Sequence, residues 1–385
     1  MDIVRIGIIG MGIMGTNHAK WISEGKIPRA KVTAVCDLLE KRRNWAKENL
    51  ASEVEIFDEY HKLLNCGNVD AVIICTPHYF HPTIAVEALN TGLHVMSEKP
   101  AGVYTKAVRE AYKVAAQKPE LVFGIMLNER TNPVFQKARE LFASGLIGEL
   151  RRATWITTDW WRPQNYYDSS DWRASWAGEG GGVLINQGPH QIDLFQWICG
   201  MPVKVRADLK YGSHRKITVE DDATIHFTFA NGATGNFIIC THDVLGTNSF
   251  EIFGDKGKII IEKSEKLTAK VLHESENDMN ARMSFEQAKE IINGARLGGI
   301  YDTITFDEYN RFGEQHHIIL NNFCEAILTK SPLFAPGTEG IKSLTLSNAM
   351  HLSSWLDREI EIPFDEDLFY SELQKRIREE KAEKK

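Results

Sequence analysis

The chain has 385 residues, a formal net charge of −7 and a pI near 6.0, with 43% hydrophobic and 25% charged residues. A chain of this length favours division into about two hydrophobic cores. The missing basic excess argues against nucleic acid as a partner, and no apolar run approaches the ~20 residues that span a bilayer.

The opening residues, Met1 to Ile6, run directly into a strand pattern without the regions of a signal peptide, so a cytoplasmic protein with no membrane role is expected. Residues 1–127 alternate short apolar runs with amphipathic segments. Strands are predicted at Val4–Ile9, Lys31–Cys36, Asp70–Cys75, Leu93–Met96 and Leu121–Met126. Helices are predicted from about Gly12, through Arg42–Leu50, over Pro82–Thr91 and near Thr105–Gln117. This alternation predicts an α/β Rossmann domain with a parallel, doubly wound sheet.

Beyond Leu127 the pattern changes to a helix near Pro133–Ser144 followed by longer alternating strands. Arg151–Trp160, Val203–Tyr211, Ala223–Phe229 and Ala233–Cys240 read as antiparallel, with Asn231-Gly232 as a hairpin turn because both residues tolerate positive φ. Ser249–Phe253 and Lys258–Ile261 form a further hairpin. Residues 274–312 read as mixed loop and helix, His316–Thr329 and Gly340–Asp357 as helices. Residues 128–365 are therefore expected to be an α+β domain for substrate binding and oligomerisation. It would have a mostly antiparallel open sheet, helices on one side and a free face inviting a homodimer or homotetramer. Residues 366–385 read as a charged helix fading into a solvated, frayed Lys/Glu tail. Cys36, Cys66, Cys75, Cys199, Cys240 and Cys324 show no Cys-x-x-Cys pair or clustered His partner, so reduced thiols and no metal site are expected.

The chemistry begins at Gly10-Met11-Gly12-Ile13-Met14-Gly15, a G-x-G-x-x-G spacing directly after the first strand. Gly10 would permit a tight turn, Gly12 close approach of a pyrophosphate, and Gly15 close helix–strand packing. Asp37 follows the second strand, where a carboxylate would accept both ribose hydroxyls and repel a 2′-phosphate, favouring NAD over NADP. Arg42 lies close enough to stack on the adenine or to tolerate that phosphate. Farther along, Thr158 to Tyr167 and Ser169 to Arg173 mix aromatic rings with planar polar groups, a composition suited to sugars. Trp161, Arg162, Tyr166 and Arg173 are the candidate substrate contacts.

Cys75-Thr76-Pro77-His78, Ser97-Glu98-Lys99-Pro100 and the run from Gly180 to Leu194, together with the glycine loop, resemble the Gfo/Idh/MocA oxidoreductase family over nearly the whole chain. The resemblance implies that Lys99 sits beside the nicotinamide and the reacting hydroxyl, with Glu98 by the nicotinamide ribose. It implies that His190 accepts the proton when an alcohol becomes a ketone. Thr76 and Pro77 would line the cofactor path, with His78 and His81 near its mouth. One departure stands out: many sugar and cyclitol dehydrogenases of the family carry Asp where this chain has Asn186. An amide cannot act as a base, but it can hydrogen-bond two hydroxyls of a substrate. Asp193, one turn beyond His190, reads as structural, with a supporting contact to His190 as the other reading.

These residues imply an NAD(P)-dependent oxidoreductase acting on a secondary hydroxyl of a sugar, glycoside or cyclitol. Lowering of the Lys99 pKa by desolvation and like charge, offset by Glu98, would suit proton work there. The alternatives are redox-neutral glycoside cleavage with retained NAD, and a dinucleotide-binding sensor without catalysis.

Overall fold

The computed structural model describes residues 2–294 and 299–383; Met1, residues 295–298, which fall within the 274–312 stretch, and the last two lysines of the tail lie outside them. The first domain comprises β1 (Val4–Ile9), α1 (Ile13–Ser23), β2 (Ala30–Cys36), α2 (Glu40–Asn49), β3 (Glu55–Phe57) and α3 (Tyr60–Leu64). It continues with β4 (Ala71–Ile74), α4 (Phe80–Asn90), β5 (His94–Ser97), α5 (Thr105–Ala116) and β6 (Phe123–Ile125). These strands form a six-stranded sheet in the order β3-β2-β1-β4-β5-β6, every pair parallel. Helices cover both faces, which is why β4 reads as an unbroken apolar run, Ala71-Val72-Ile73-Ile74, all buried. β3 and α3 have no counterpart in the predicted series.

A short 3₁₀ turn, Asn128–Thr131, leads to α6 (Pro133–Ala143), β7 (Leu150–Thr157), α7 (Gln164–Tyr167), α8 (Pro189–Cys199), β8 (Lys204–Tyr211), β9 (Glu220–Thr228) and β10 (Thr234–Cys240). Then come β11 (Asn248–Gly254), β12 (Gly257–Glu262), β13 (Lys266–Leu272), α9 (Glu276–Arg282), α10 (Phe285–Ile292) and β14 (Tyr301–Phe306). The chain closes with α11 (Glu314–Thr329), α12 (Gly340–Leu356), β15 (Ile360–Glu361) and α13 (Glu366–Glu383). The second sheet has nine strands in the order β14-β13-β12-β11-β7-β10-β9-β8-β15. It is mixed: β7 and β10, read from sequence as part of an antiparallel set, pair in parallel, and the other pairs are antiparallel. At the β9–β10 turn only Gly232 of the expected pair has a positive φ, 84°. Asn231 acts instead through its side chain, which accepts the Ala233 amide at 3.1 Å.

Period-2 alternation sets the inner face of this sheet. Ala223, Ile225 and Phe227 of β9 are buried, whereas Thr224 and His226 between them are exposed. The inward residues join α6, α8 and α12 in one core around Trp155, Phe195, Phe237 and Phe250, with Trp155 stacked on Phe250 at a centroid distance of 4.4 Å. Two helices differ from the linear reading. α11 returns to the first domain, burying Ile319, Leu320 and Phe323 against Val4, Ile6 and Met126. α13 is docked rather than frayed: Phe369 and Leu373, four residues apart and on one face, are buried in the second core. Glu380 on the same helix accepts the Trp176 and Ala177 amides.

A fully buried ion pair ties the domain junction to α8. Arg130 reaches Asp193 through two hydrogen bonds of 2.7 Å, with Trp197 under its guanidinium at 5.4 Å. Asp193 also accepts from Gln196, so its structural reading holds and its carboxylate is committed away from His190.

Docking of α13 sets an expected penalty. Phe369→Ala should lower unfolding free energy by about 3–5 kcal/mol in urea denaturation, the range for a truncated core aromatic. A loss below about 0.5 kcal/mol, the surface range, would return the helix to a frayed tail.

Candidate active site

The parallel strands place three loops side by side at their C-terminal ends. Backbone bonds fix the spacing: Cys75 N donates to Ile9 O at 2.8 Å, and Glu98 N to Ile74 O at 2.9 Å. The loops after β1, β4 and β5 therefore meet where the strand order reverses, between β1 and β4, the position at which open α/β sheets hold ligands.

The glycine loop fits a dinucleotide. Gly10 has φ of 95°, and a Cβ there would lie 2.6 Å from the Cys75 carbonyl oxygen. At Gly15 a Cβ would lie 1.9 Å from the Gly10 carbonyl oxygen, so both glycines are required by the fold itself. Gly12 differs: among the described residues a Cβ there meets nothing nearer than Arg42 at 3.8 Å. It begins α1 without a side-chain cap, leaving the first helical amides free for an anion. Ile13 is exposed on that first turn, and Met14 is half-buried. Asp37 directly follows β2 with its carboxylate tied to the loop, accepting Met11 N and Leu39 N at 2.8 Å each and Arg42 at 3.1 Å. Thr76, beside half-buried Pro77, keeps a buried hydroxyl oxygen with no partner among the described residues, as a ligand-lining group would.

Lys99 meets the segment that leads to His190. Lys99 Nζ, from the loop after β5, donates at 2.9 Å to the main-chain oxygen of Asn186, four residues before His190 in the lead-in to α8. Burial lowers the Lys99 pKa, Glu98 and Glu179 oppose that shift, and Arg173 and Arg162 reinforce it. Burial also pushes His190 well below the ordinary histidine range, and the nearby charges of Lys99 and His316 add to the effect. Its imidazole is thereby neutral, with Nδ1 buried and unpartnered among the described residues.

The aromatic segment forms one wall. Tyr166 lies between two guanidiniums, with Arg162 at 5.0 Å and Arg173 at 4.6 Å from its ring, and its hydroxyl accepts Arg173 at 2.8 Å. Trp161 is not part of this cluster. It is 42% exposed and faces an open groove of about 840 Å³ shared with Pro163, Gln164 and the 212–216 loop. Arg215 Nε donates to the Arg162 carbonyl at 2.7 Å, joining groove and wall.

Two histidines expected at the mouth are interior. His81 is buried, with its ring nitrogens 2.7 Å from the carbonyls of Pro100 and Thr76, so it couples the loops after β4 and β5. His78 is buried under Trp172 and meets the Glu179 carbonyl at 3.0 Å across the domain junction. Glu98 also has an internal partner that sequence reasoning missed: its Oε1 lies 2.8 Å from His18 Nε2, both side chains buried. Burial alone would raise Glu98, but the His18 hydrogen bond and the charges of His18, His316 and Lys99 bring it down to about 2.

Glu179 is the other residue missed. Its carboxylate accepts the Asn186 amide nitrogen and the Ala174 backbone N–H, the latter at 2.6 Å, and Arg173 stands 3.7 Å away. Burial raises its pKa to about 7 against the pull of those donors. A lone acidic residue opening the run Gly180-Gly181-Gly182 was the available signal. That run is fixed from β9, where Glu220 accepts the Gly182 and Leu184 amides at 2.8 and 3.0 Å.

Among the described residues two groups bring three ligand-type atoms within 4.8 Å: His18, Cys75 and Glu98, and His214, Asp222 and His242. The first gives Cys75 a histidine neighbour that its sequence context did not disclose. Burial, reinforced by Glu98, raises that thiol well above its ordinary range, so it stays protonated.

Comparison with known proteins agrees with this geometry. Residues 4–124 match the model of the oxidoreductase family with an NAD-binding Rossmann fold, and residues 135–260 match the Gfo/Idh/MocA C-terminal domain. The chain is 27% identical over 287 residues to a myo-inositol 2-dehydrogenase from Thermotoga maritima, covering 72% of this chain and 81% of that protein. It is 26% identical over 302 residues to a levoglucosan dehydrogenase from Pseudarthrobacter phenanthrenivorans, covering 68% and 74%. The fold matches that of the WlbA dehydrogenase from Bordetella pertussis, crystallised with NADH and UDP-GlcNAcA, with a TM-score of 0.74, 24% identity, and coverage of 94% and 100%. With both domains matched to a single family, the chain belongs to the Gfo/Idh/MocA oxidoreductases and carries an NAD-binding Rossmann domain.

Proposed function

We propose that the protein is an NAD-dependent dehydrogenase that oxidises a secondary hydroxyl of a sugar, glycoside or cyclitol. The observation that supports this reading is the hydrogen bond from Lys99 Nζ of the first domain to the main-chain oxygen of Asn186, four residues before His190, whose pKa the nearby Lys99 charge helps to lower. The relatives named inositol and levoglucosan dehydrogenase support the substrate class. Bound nicotinamide would supply the acceptor for the carbinol hydride. Lys99 holds the hydroxyl oxygen as charge develops on it, and His190 takes the O–H proton. Arg162, Tyr166, Arg173 and Asn186 are the groups in reach of further hydroxyls, while Trp161 serves only a ligand long enough to enter the groove.

Asp37 favours NAD over NADP, because a 2′-phosphate would approach its carboxylate. Arg42 is engaged with that carboxylate and is half-exposed above Gly12, placed for the adenine. The division into residues 1–127 and 128–365 is a working boundary, since α11 packs on the first core and α13 on the second. The open face of the nine-stranded sheet is the proposed homodimer or homotetramer interface. No helix among the described residues is long and apolar enough to cross a membrane, and a cytoplasmic location is proposed.

Incubation with NAD and a panel of sugars and cyclitols should yield NADH, and Lys99→Met should lower kcat by about 10²–10³-fold, the effect of removing one preorganised donor from a developing oxyanion. Turnover of no panel member with either cofactor would overturn the reading; aglycone release without net NADH would redirect it to redox-neutral cleavage. Because His190 must be neutral to accept a proton and its pKa is depressed, the acid limb of kcat/KM should fall below pH 6.5. A limb above that value that disappears in His190→Asn would contradict the assignment. Asp37→Ser should narrow the NAD-over-NADP preference at least about tenfold, read from the two KM values.

A further inference from the structure

Three cations crowd the site. Lys99 feels both Arg162 and Arg173, and its own burial already disfavours the ammonium. Two carboxylates oppose this, and one is occupied elsewhere: Glu98 has Oε1 on His18 and Oε2 on the Lys99 backbone amide. Glu179, in the segment that leads to Asn186, is close enough for its charge to act on the lysine.

The Glu179 carboxylate is 1% exposed. A carboxylate buried to that degree needs donors on both oxygens, and it has them. Oε1 accepts Asn186 Nδ2 and Oε2 accepts Ala174 N, with Arg173 alongside. The first contact fixes the orientation of the amide. With Nδ2 committed to Glu179, Asn186 presents Oδ1 as its remaining polar atom, while its main-chain oxygen holds Lys99 Nζ. One asparagine thus links Glu179 to the lysine, with its side chain on one and its backbone on the other.

We propose that Glu179 is a positioning residue of this site: it orients the Asn186 amide so that Oδ1 accepts a substrate hydroxyl, and it supplies the negative charge that favours Lys99 as an ammonium. The proposal for the hydroxyl rests on the dehydrogenase reading above; the proposal for the charge does not. The groups acting on Glu179 are Arg173 in its own segment, Lys99 from the first domain, Asn186 and Glu220, with Tyr167 also within its field and His78 on its carbonyl. Because its carboxyl titrates at about 7, falling pH through neutrality removes an anion from beside Lys99.

The charge role is tested without substrate. Trace acetylation of the full-length protein with acetic anhydride across a pH series, with Lys99 followed by mass spectrometry, gives the titration midpoint of that amine. Glu179 raises the lysine's pKa, so Glu179→Gln should move the midpoint to lower pH by at least about half a unit. Glu179→Asp should lie between the two. An unchanged midpoint in a Glu179→Gln protein with wild-type thermal unfolding overturns the charge role. If Glu179→Gln unfolds, Glu179→Ala decides by the same criterion.

The orienting role is read with a sugar that the wild type oxidises. Glu179→Gln should raise KM for that sugar about tenfold, as expected for a disturbed polar contact, while KM for NAD stays within about twofold. Equal changes in both constants, or in neither, overturn the orienting role. Should the wild type oxidise nothing, the dehydrogenase reading falls together with the hydroxyl role, and the acetylation series still decides the charge role.

Discussion

The hydrogen bond from Lys99 Nζ to the Asn186 carbonyl is the contact on which the site's geometry depends. It is a charge-assisted bond made across two cores that fold around different sheets, so its length depends on how those cores are joined. The joint is polar and specific. The Tyr79 hydroxyl donates to Trp176 O at 2.6 Å, His78 meets Glu179 O, and Arg130 grips Asp193 on α8, the helix that carries His190. An apolar seam could slide by a side chain's width, whereas these bonds weaken steeply with angle and distance. The Arg130–Asp193 pair is charge-assisted and buried, and together the three contacts favour one register at the junction.

Burial acts in one direction on four histidines around this contact. His78, His81, His190 and His316 are all pushed down, and the first cause in each case is loss of water. Lys99, Arg162 and Arg173 start from ordinary pKa values far above that of histidine, although burial lowers that of Lys99. A neutral imidazole next to an ammonium is a useful asymmetry, because one group can take a proton while the other holds an oxygen. His18 bonds the Glu98 carboxylate, the anion that offsets part of the crowding.

Much of the first domain was legible in the sequence because its information is local. A strand buried on both faces is apolar throughout, and a glycine turn is visible within six residues. The pairing of β7 with β10 was not legible: both strands alternate in the same way whether a neighbour runs parallel or antiparallel, and the order β11-β7-β10 is set by connections far apart in sequence. Docking of α13 was hidden for a different reason. Its apolar contacts, Phe369 and Leu373, are diluted among charged residues, so the helix reads as solvated although its buried stripe is narrow but real. His78 and His81 were placed at a mouth because polar side chains near a ligand motif suggest exposure, yet each finds a backbone carbonyl in the interior. Glu179 was passed over for the same reason in reverse, since a carboxylate beside three glycines reads as a loop residue until its donors are seen.

The glycine motif shows how far such legibility extends. Three glycines are spaced alike, but they do not answer to the same constraint. Gly10 and Gly15 are held by the protein: the first by a backbone conformation that L side chains rarely adopt, the second by a carbonyl that a Cβ would overlap. Nothing among the described residues forbids a methyl group at Gly12, whose nearest described neighbour is the half-exposed Arg42. A glycine that costs conformational entropy and relieves no internal clash is explained by something external to the chain that must approach its backbone. The free amides of α1 point to an anionic group there, and the neighbouring Asp37, fixed by Met11 N, limits how much further negative charge that group can carry.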